Sequence, residues 1–163
     1  MASDVYLQIE GIKGESMDEK HKDSIEVISV TWGNEQPTAG PVSTSGGHTI
    51  GRASFDPVHF TKLVDLASPK LMELVAQGRT IPKATLKFMR ADGANRIKYY
   101  ELTLCNVLVS SNKKSFSGSG LLVEQFTLHY SKILETYTQQ KIGGGAGGNT
   151  MGGWDLASNK TAA

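Results

Sequence analysis

The sequence predicts a mainly β protein, a small β-barrel of two antiparallel sheets flanked by one α-helix, with a long extended loop. Three observations carry this. Six or more short runs alternate apolar with polar residues and are separated by turn residues. Only one stretch, Ser68 to Gly78, repeats its apolar residues at helical spacing within start and stop signals. The 163 residues suffice for one domain with a real core and are too few for two comfortable ones. Many strands with a single helix read as a barrel or sandwich with the helix packed at its side.

Taken in order, Val5, Leu7 and Ile9 alternate with Tyr6, Gln8 and Glu10, a half-buried strand that ends at Gly11. The stretch GIKGESMDEKHKD is polar and turn-rich and reads as a loop. In the next strand Ile25 and Val27 share one face while Ile28, Val30 and Trp32 share the other, so the alternation changes phase near Val27. A bulge, or a strand covered on both faces, produces that. From Gly33 to Gly51 the chain carries five glycines with Pro37 and Pro41, which argues against a continuous strand or helix and reads as a long loop. Loops of about 15 residues or more are uncommon in compact domains and usually serve a function or await a partner.

An extended pattern resumes over Arg52 to Lys62. The helix then runs from about Pro69 to Gln77, with Ser68 as its cap, Pro69 at the first helical position and Gly78 as the left-handed stop. Leu71, Leu74 and Val75 line one face with Met72 at its edge. So short a helix is marginal alone and must lean on a sheet. Ala84, Leu86 and Phe88 begin a hairpin that turns at Asp92 and Gly93 and returns over Ile97 to Val109. There Tyr99, Val107 and Val109 oppose Leu102, Leu104 and Leu108, as if something else covered a second face. SSNKKSFSGSG reads as a polar loop. Leu121 to Tyr130, with Leu122, Glu124, Phe126 and Leu128 on one face, continues through Ile133 and Tyr137 as one long bent strand. The division is therefore a barrel domain over 1–142 and a glycine-rich linker with a C-terminal tail over 143–163.

Composition narrows the function. Seventeen basic and sixteen acidic side chains leave a formal charge of +1, too weak a field to recruit nucleic acid or anionic lipid. No run of about 18 apolar residues suggests membrane insertion, and no cleaved signal precedes the first strand. The single cysteine, Cys105, sits in an apolar run and reads as a small buried hydrophobe, which suits a reducing cytoplasm. Gly143, Gly145 and Gly148 satisfy G-x-G-x-x-G but lack the strand before and helix after that a dinucleotide site requires. His21, His48, His59 and His129 are scattered, without metal-ligand spacing. The mixed charges of Asp18 to Asp23 read as a solvated loop, and Asn159-Lys160-Thr161 fits a glycosylation pattern that means nothing without secretion through a signal. No G-x-S-x-G elbow is present. Neither catalysis, a cofactor nor a metal is expected. Strands apolar on two faces together with a long arm suggest a self-associating subunit.

Gly11-Ile12-Lys13-Gly14-Glu15-Ser16 with Asp18 and His21, then Ile25-Glu26-Val27, Ser29 and Trp32-Gly33, resemble the N-terminal signature of the Hcp family, the tube protein of bacterial type VI secretion. Ala67-Ser68-Pro69, Val107 to Ser111 and Gly153-Trp154-Asp155-Leu156 with Asn159 match as well, so the resemblance spans the chain. It implies a helix-flanked barrel in homohexameric rings, stacked into a hollow tube inside a contractile sheath on a baseplate, tipped by a VgrG spike and carrying effector proteins in its lumen. It also implies a protein held in the bacterial cytoplasm before firing and then delivered outside or into a target cell. Under that reading Ser29 and Thr31 are the lumen-facing pair, because a wall that meets cargo should be small and polar. The arm from Gln36 to Ile50, with Gln36, Thr38, Ser43, Thr44, Gly46, Gly47 and His48, is the ring-stacking candidate. Gly14, Glu15 and Ser16 are expected to meet a neighbour, and Trp154 to dock from the tail. A phage-like tail tube and a monomeric β-barrel ligand-binding module are the alternatives.

Overall fold

The computed structural model describes residues 4–40, 47–118 and 120–162. In chain order these form β1 (Asp4–Ile9), β2 (Ile25–Glu26), β3 (Ser29–Thr31), β4 (Asn34–Glu35), β5 (Ser54–Phe55), β6 (Val58–Leu63), α1 (Ser68–Gln77), β7 (Thr80–Asp92), β8 (Asn95–Phe116), β9 (Leu122–His129), β10 (Lys132–Gln140), β11 (Ala146–Asp155) and β12 (Lys160–Thr161). All strand pairs are antiparallel. The fold class is the expected one.

The phase change near Val27 is what closes the barrel. β2 pairs with β1, whereas β3 pairs with β6. Between them, the Val27 N–H donates to the Val5 carbonyl at 3.1 Å and the Ile28 N–H donates to Thr61 at 2.8 Å, so consecutive residues bond to opposite neighbours. The circuit then runs from β6 to β9, β8, β7 and back to β1. Inside it Leu7, Ile9, Ile25, Phe60, Leu86, Leu102, Leu104, Phe126 and Leu128 are buried in one cluster. That is the alternation of each strand expressed as a shared interior.

Strand β8 is the common spine. Its first part pairs with β7 on one edge and β10 on the other, and its last part pairs with β9. β9 and β10 lie on the same edge: His129 faces Leu108, and Lys132, three residues on, faces Cys105, three residues back. The expectation of one long bent strand therefore describes the path well, interrupted only at Tyr130 and Ser131. Asn106 opposite this break takes a left-handed φ of 53° and donates from its side chain to the Ser131 hydroxyl at 2.8 Å. Beyond it the buried positions change from Leu102 and Leu104 to Val107 and Val109. Those valines thus belong to the same core as the leucines, and no second covered face is needed to explain them.

Four local readings change. The hairpin turns through Gly93 and Ala94, since Asp92 pairs with Asn95, and Gly93 supplies the φ of 61° at the first central position. The polar stretch from Ser110 does not leave the sheet, because β8 runs on to Phe116 against β9. The arm is a ribbon rather than a bare loop: β4 pairs with β5, Thr38 bridges Thr49, and the Ala39 N–H donates to His48 at 2.8 Å. The segment read as linker and tail is β11, which pairs with β10 from Gln140 to Lys132 and is followed by β12. Glycine hides the alternation a strand normally shows, yet its backbone pairs as well as any other.

Helix α1 buries Leu71 and Leu74 and closes on Gly78 at φ 59°, as its spacing predicts, while Val75 is half-buried and Met72, at the edge of the stripe, is exposed. Its start differs. Ala67 is the N-cap and no side chain caps the helix. The Ser68 hydroxyl is drawn elsewhere: it accepts from the Asp65 N–H at 3.0 Å and donates to Glu124 Oε1 at 2.9 Å. Glu124 and its cross-strand partner Lys62 are both fully buried and joined at 2.6 Å. Lys62 also reaches Asp65 at 2.7 Å, and Asn112 and Lys114 satisfy the other Glu124 oxygen at 2.9 and 3.2 Å. Buried charge is tolerable only when so completely matched. This network ties α1 to β6, β9 and the end of β8.

Candidate functional site

Ser29 and Thr31 stand exposed on β3, while Val30 between them packs toward the core. The small polar pair is thus presented outward, on a strand whose only partner among the described residues is β6. Ile28, expected on the apolar face with Val30 and Trp32, is instead 62% exposed because it lies on the closing bend. It borders a cleft of about 360 Å³ with Val27, Leu63, Val64, Glu15 and Glu26.

Of the N-terminal trio, only Glu15 is exposed. Gly14 and Ser16 are buried inside the chain. The Gly14 N–H donates to Asp23 at 2.8 Å and the Ser16 N–H to Ser24 at 3.1 Å. A Cβ on Gly14 would fall 2.4 Å from the Ser24 carbonyl oxygen, so glycine is required there by close backbone approach. These backbone bonds close the 14–24 loop on itself, with both residues buried inside the chain.

The same loop carries His21, 7% exposed and stacked on Tyr6 with ring centroids 4.5 Å apart and planes 11° apart. Neither ring nitrogen has a hydrogen-bond partner among the described residues. Burial pushes the imidazole below its ordinary 6.5, Asp18 opposes this, and Lys87, Lys20 and Lys98 add to it. The unfolded chain therefore takes up a proton more readily than the folded one, so stability is intact above pH 6.5 and declines as pH falls toward the folded value. The Tm of the native chain should drop over that window. His21→Phe, which keeps the stack and removes the proton site, should flatten the profile, and an identical profile in the variant would reject the assignment.

In the arm, Gln36 donates to the Gly51 carbonyl at 2.5 Å, fastening the ribbon at its base. Thr38, Gly47 and His48 lie exposed farther out, whereas Ser43, Thr44 and Gly46 fall outside the described residues. Trp154 is not an exposed residue on a flexible tail. It pairs with Ile133 on one side and Thr161 on the other, is half-buried and packs on the core. With Trp32, Phe55, Ile133 and Glu135 it lines a cleft of about 250 Å³ at the root of the arm. The Trp32 indole donates to Glu135 Oε1 at 2.7 Å. Burial first, then a hydrogen bond to Glu135, raises the Tyr100 phenol. Sequence reading missed this cleft because its walls come from chain segments far apart.

Among the described residues no group of three or more His, Cys, Asp or Glu side chains is placed to hold a metal. No helix among them is long and apolar enough to cross a membrane. What the surface offers is strand edges, a projecting ribbon and clefts.

A family model described as "Type VI secretion system effector, Hcp" matches residues 6–137. The chain is 35% identical over 161 residues to protein hcp1 of Pseudomonas aeruginosa, covering 98% of both chains. It superposes on a solved structure of a type six secretion system protein with a TM-score of 0.91 at 31% identity, over 99% of this chain and 100% of that one. Against Hcp1 from Salmonella typhimurium the TM-score is 0.80 at 32% identity, with 99% and 100% covered. The fold is that of a type VI secretion tube protein. The chain belongs to the Hcp family of type VI secretion.

Proposed function

We propose that six copies of this chain close into a ring, that rings stack into the hollow inner tube of the secretion apparatus, and that the tube wall, rather than any reactive group, does the work. The observation that carries this reading is a pair of unlike free edges. β3 is paired on one side only, and residues 146–152 of β11 pair with β10 but with nothing on their outer side among the described residues. That outer edge has neither proline nor charge to blunt it. Two different edges on one subunit suit head-to-tail association, which closes into a ring when the rotation permits.

On this reading Ser29 and Thr31 face the bore and meet effector proteins, the arm from Gln36 to Ile50 reaches the next ring through residues that include Thr38, Gly47 and His48, and Glu15 borders a neighbour. Trp154 supports the inner side of the arm rather than docking on another barrel. The sheath and baseplate drive the tube outward behind a VgrG spike, from the bacterial cytoplasm into the surroundings or a target cell. Mass photometry should find a species near six times 17.5 kDa. In the same preparation Thr31→Trp should keep that mass and lose effector co-purification. A monodisperse single chain would favour a free ligand-binding module and overturn the ring.

A further inference from the structure

The cleft at the root of the arm has a composition that neither the barrel nor its closure requires. Trp32, Phe55 and Trp154 supply aromatic walls, and Glu135 supplies a carboxylate between them. Trp32 is itself held in place by Phe88 and Tyr100, with ring centroids 5.9 and 6.0 Å away. Asp56 stands at the same mouth, since a Cβ on Gly33 would lie 3.4 Å from its Oδ2. Among the described residues neither Glu135 nor Asp56 has a cationic side chain within ion-pairing distance. Tyr130, which donates to the Asp56 backbone carbonyl at 2.9 Å, senses this field: burial, then Asp56, then Glu135 push its phenol up to about 12. The wall at Gly152 is open, with nothing within 4 Å of where a side chain would begin.

Aromatic faces attract cations through their quadrupoles, and a carboxylate among them adds a direct Coulomb partner. A planar guanidinium satisfies both, because it stacks on indole and donates to carboxylate oxygen at once. We propose that this cleft is a binding site for an arginine side chain presented by a partner polypeptide, clamped between Trp32 and Trp154 and paired with Glu135. The inference is independent of ring formation. The Trp32 indole donates to Glu135 Oε1 at 2.7 Å and the Tyr100 hydroxyl bonds the same carboxylate, so the acceptor is aimed before a ligand arrives and the site is preorganised rather than assembled on binding.

The chain has two tryptophans and both line the cleft. Intrinsic tryptophan fluorescence therefore reports this cleft alone. Titrating the full-length protein with N-acetyl-arginine amide should give a saturable change. The citrulline analogue, the same shape without charge, should bind at least about fivefold more weakly. Glu135→Gln, which keeps an acceptor for Trp32 and removes the charge, should weaken the arginine probe by a similar factor while the melting curve stays put. Equal binding of the two probes, or no weakening in Glu135→Gln, would overturn the site. So would a fluorescence change that follows protein concentration but ignores the arginine probe, since the cleft would then be filled by another copy of the chain.

Discussion

Replacing Lys62 with methionine should cost the fold about 3–5 kcal/mol, because it strips the buried cation from Glu124 Oε1 and leaves only Lys114, 3.2 Å from the other oxygen, to balance a carboxylate that has no water to turn to. Both groups are fully buried and 2.6 Å apart. Burial by itself would raise the Glu124 carboxyl. Hydrogen bonds from Lys62, Asn112 and Ser68 outweigh that and hold it below its ordinary 4.5. A depressed folded pKa means that this stabilisation is present above pH 4.5 and is lost as pH falls through the folded value. Urea titrations at pH 7 should therefore show a large drop in midpoint for Lys62→Met. The double variant Lys62→Met, Glu124→Leu should recover much of it, since it removes both fully buried charges and the groups it leaves unpaired, Asp65 and Lys114, reach solvent. If the double variant is as unstable as the single one, the surrounding hydrogen bonds, not the ion pair, hold this corner together.

Phe126→Ala should be comparably damaging, at about 3–5 kcal/mol. Phe126 and Phe60 face each other across β9 and β6 and stack with centroids 4.8 Å apart and planes 6° apart. Both are buried at the centre of the core. Removing one ring takes away its own transfer free energy and leaves a hollow beside the other. Phe126→Leu should lose less than half as much, since it refills most of the space. Calorimetric Tm values for the two variants read this directly. Equal losses would mean that the stacking geometry matters more than the volume filled.

Much of this structure was legible in the residues because side chains announced it. Leu71, Leu74 and Gly78 marked the helix, and Leu102 and Leu104 marked the strand that became the spine. The N-cap was misread because the Ser68 hydroxyl is claimed by Asp65 and Glu124, a competition no local pattern reveals. Glu124 was visible on an apolar face, but its partner Lys62 lies on a strand distant in sequence. β11 and the far end of β8 escaped notice for a shared reason: glycine and polar residues carry no alternation, and backbone pairing alone defines them. Val107 and Val109 suggested a second buried face only because the left-handed turn at Asn106 is silent in a count of apolar positions. Of the residues expected at assembly contacts, Ser29 and Thr31 are exposed, whereas Gly14 and Ser16 are internal.

The bend at Val27 and Ile28 sets a timetable for synthesis. β1 finds its long partner only when β7 has emerged, and β3 rests on β6, whose other side waits for β9. On the ribosome the circuit therefore cannot close until residue 129 is free, and pairings this distant form slowly. Throughout that interval Leu7, Ile9 and Ile25 are open to the wrong company, so the nascent chain is most prone to aggregate before its last third is made.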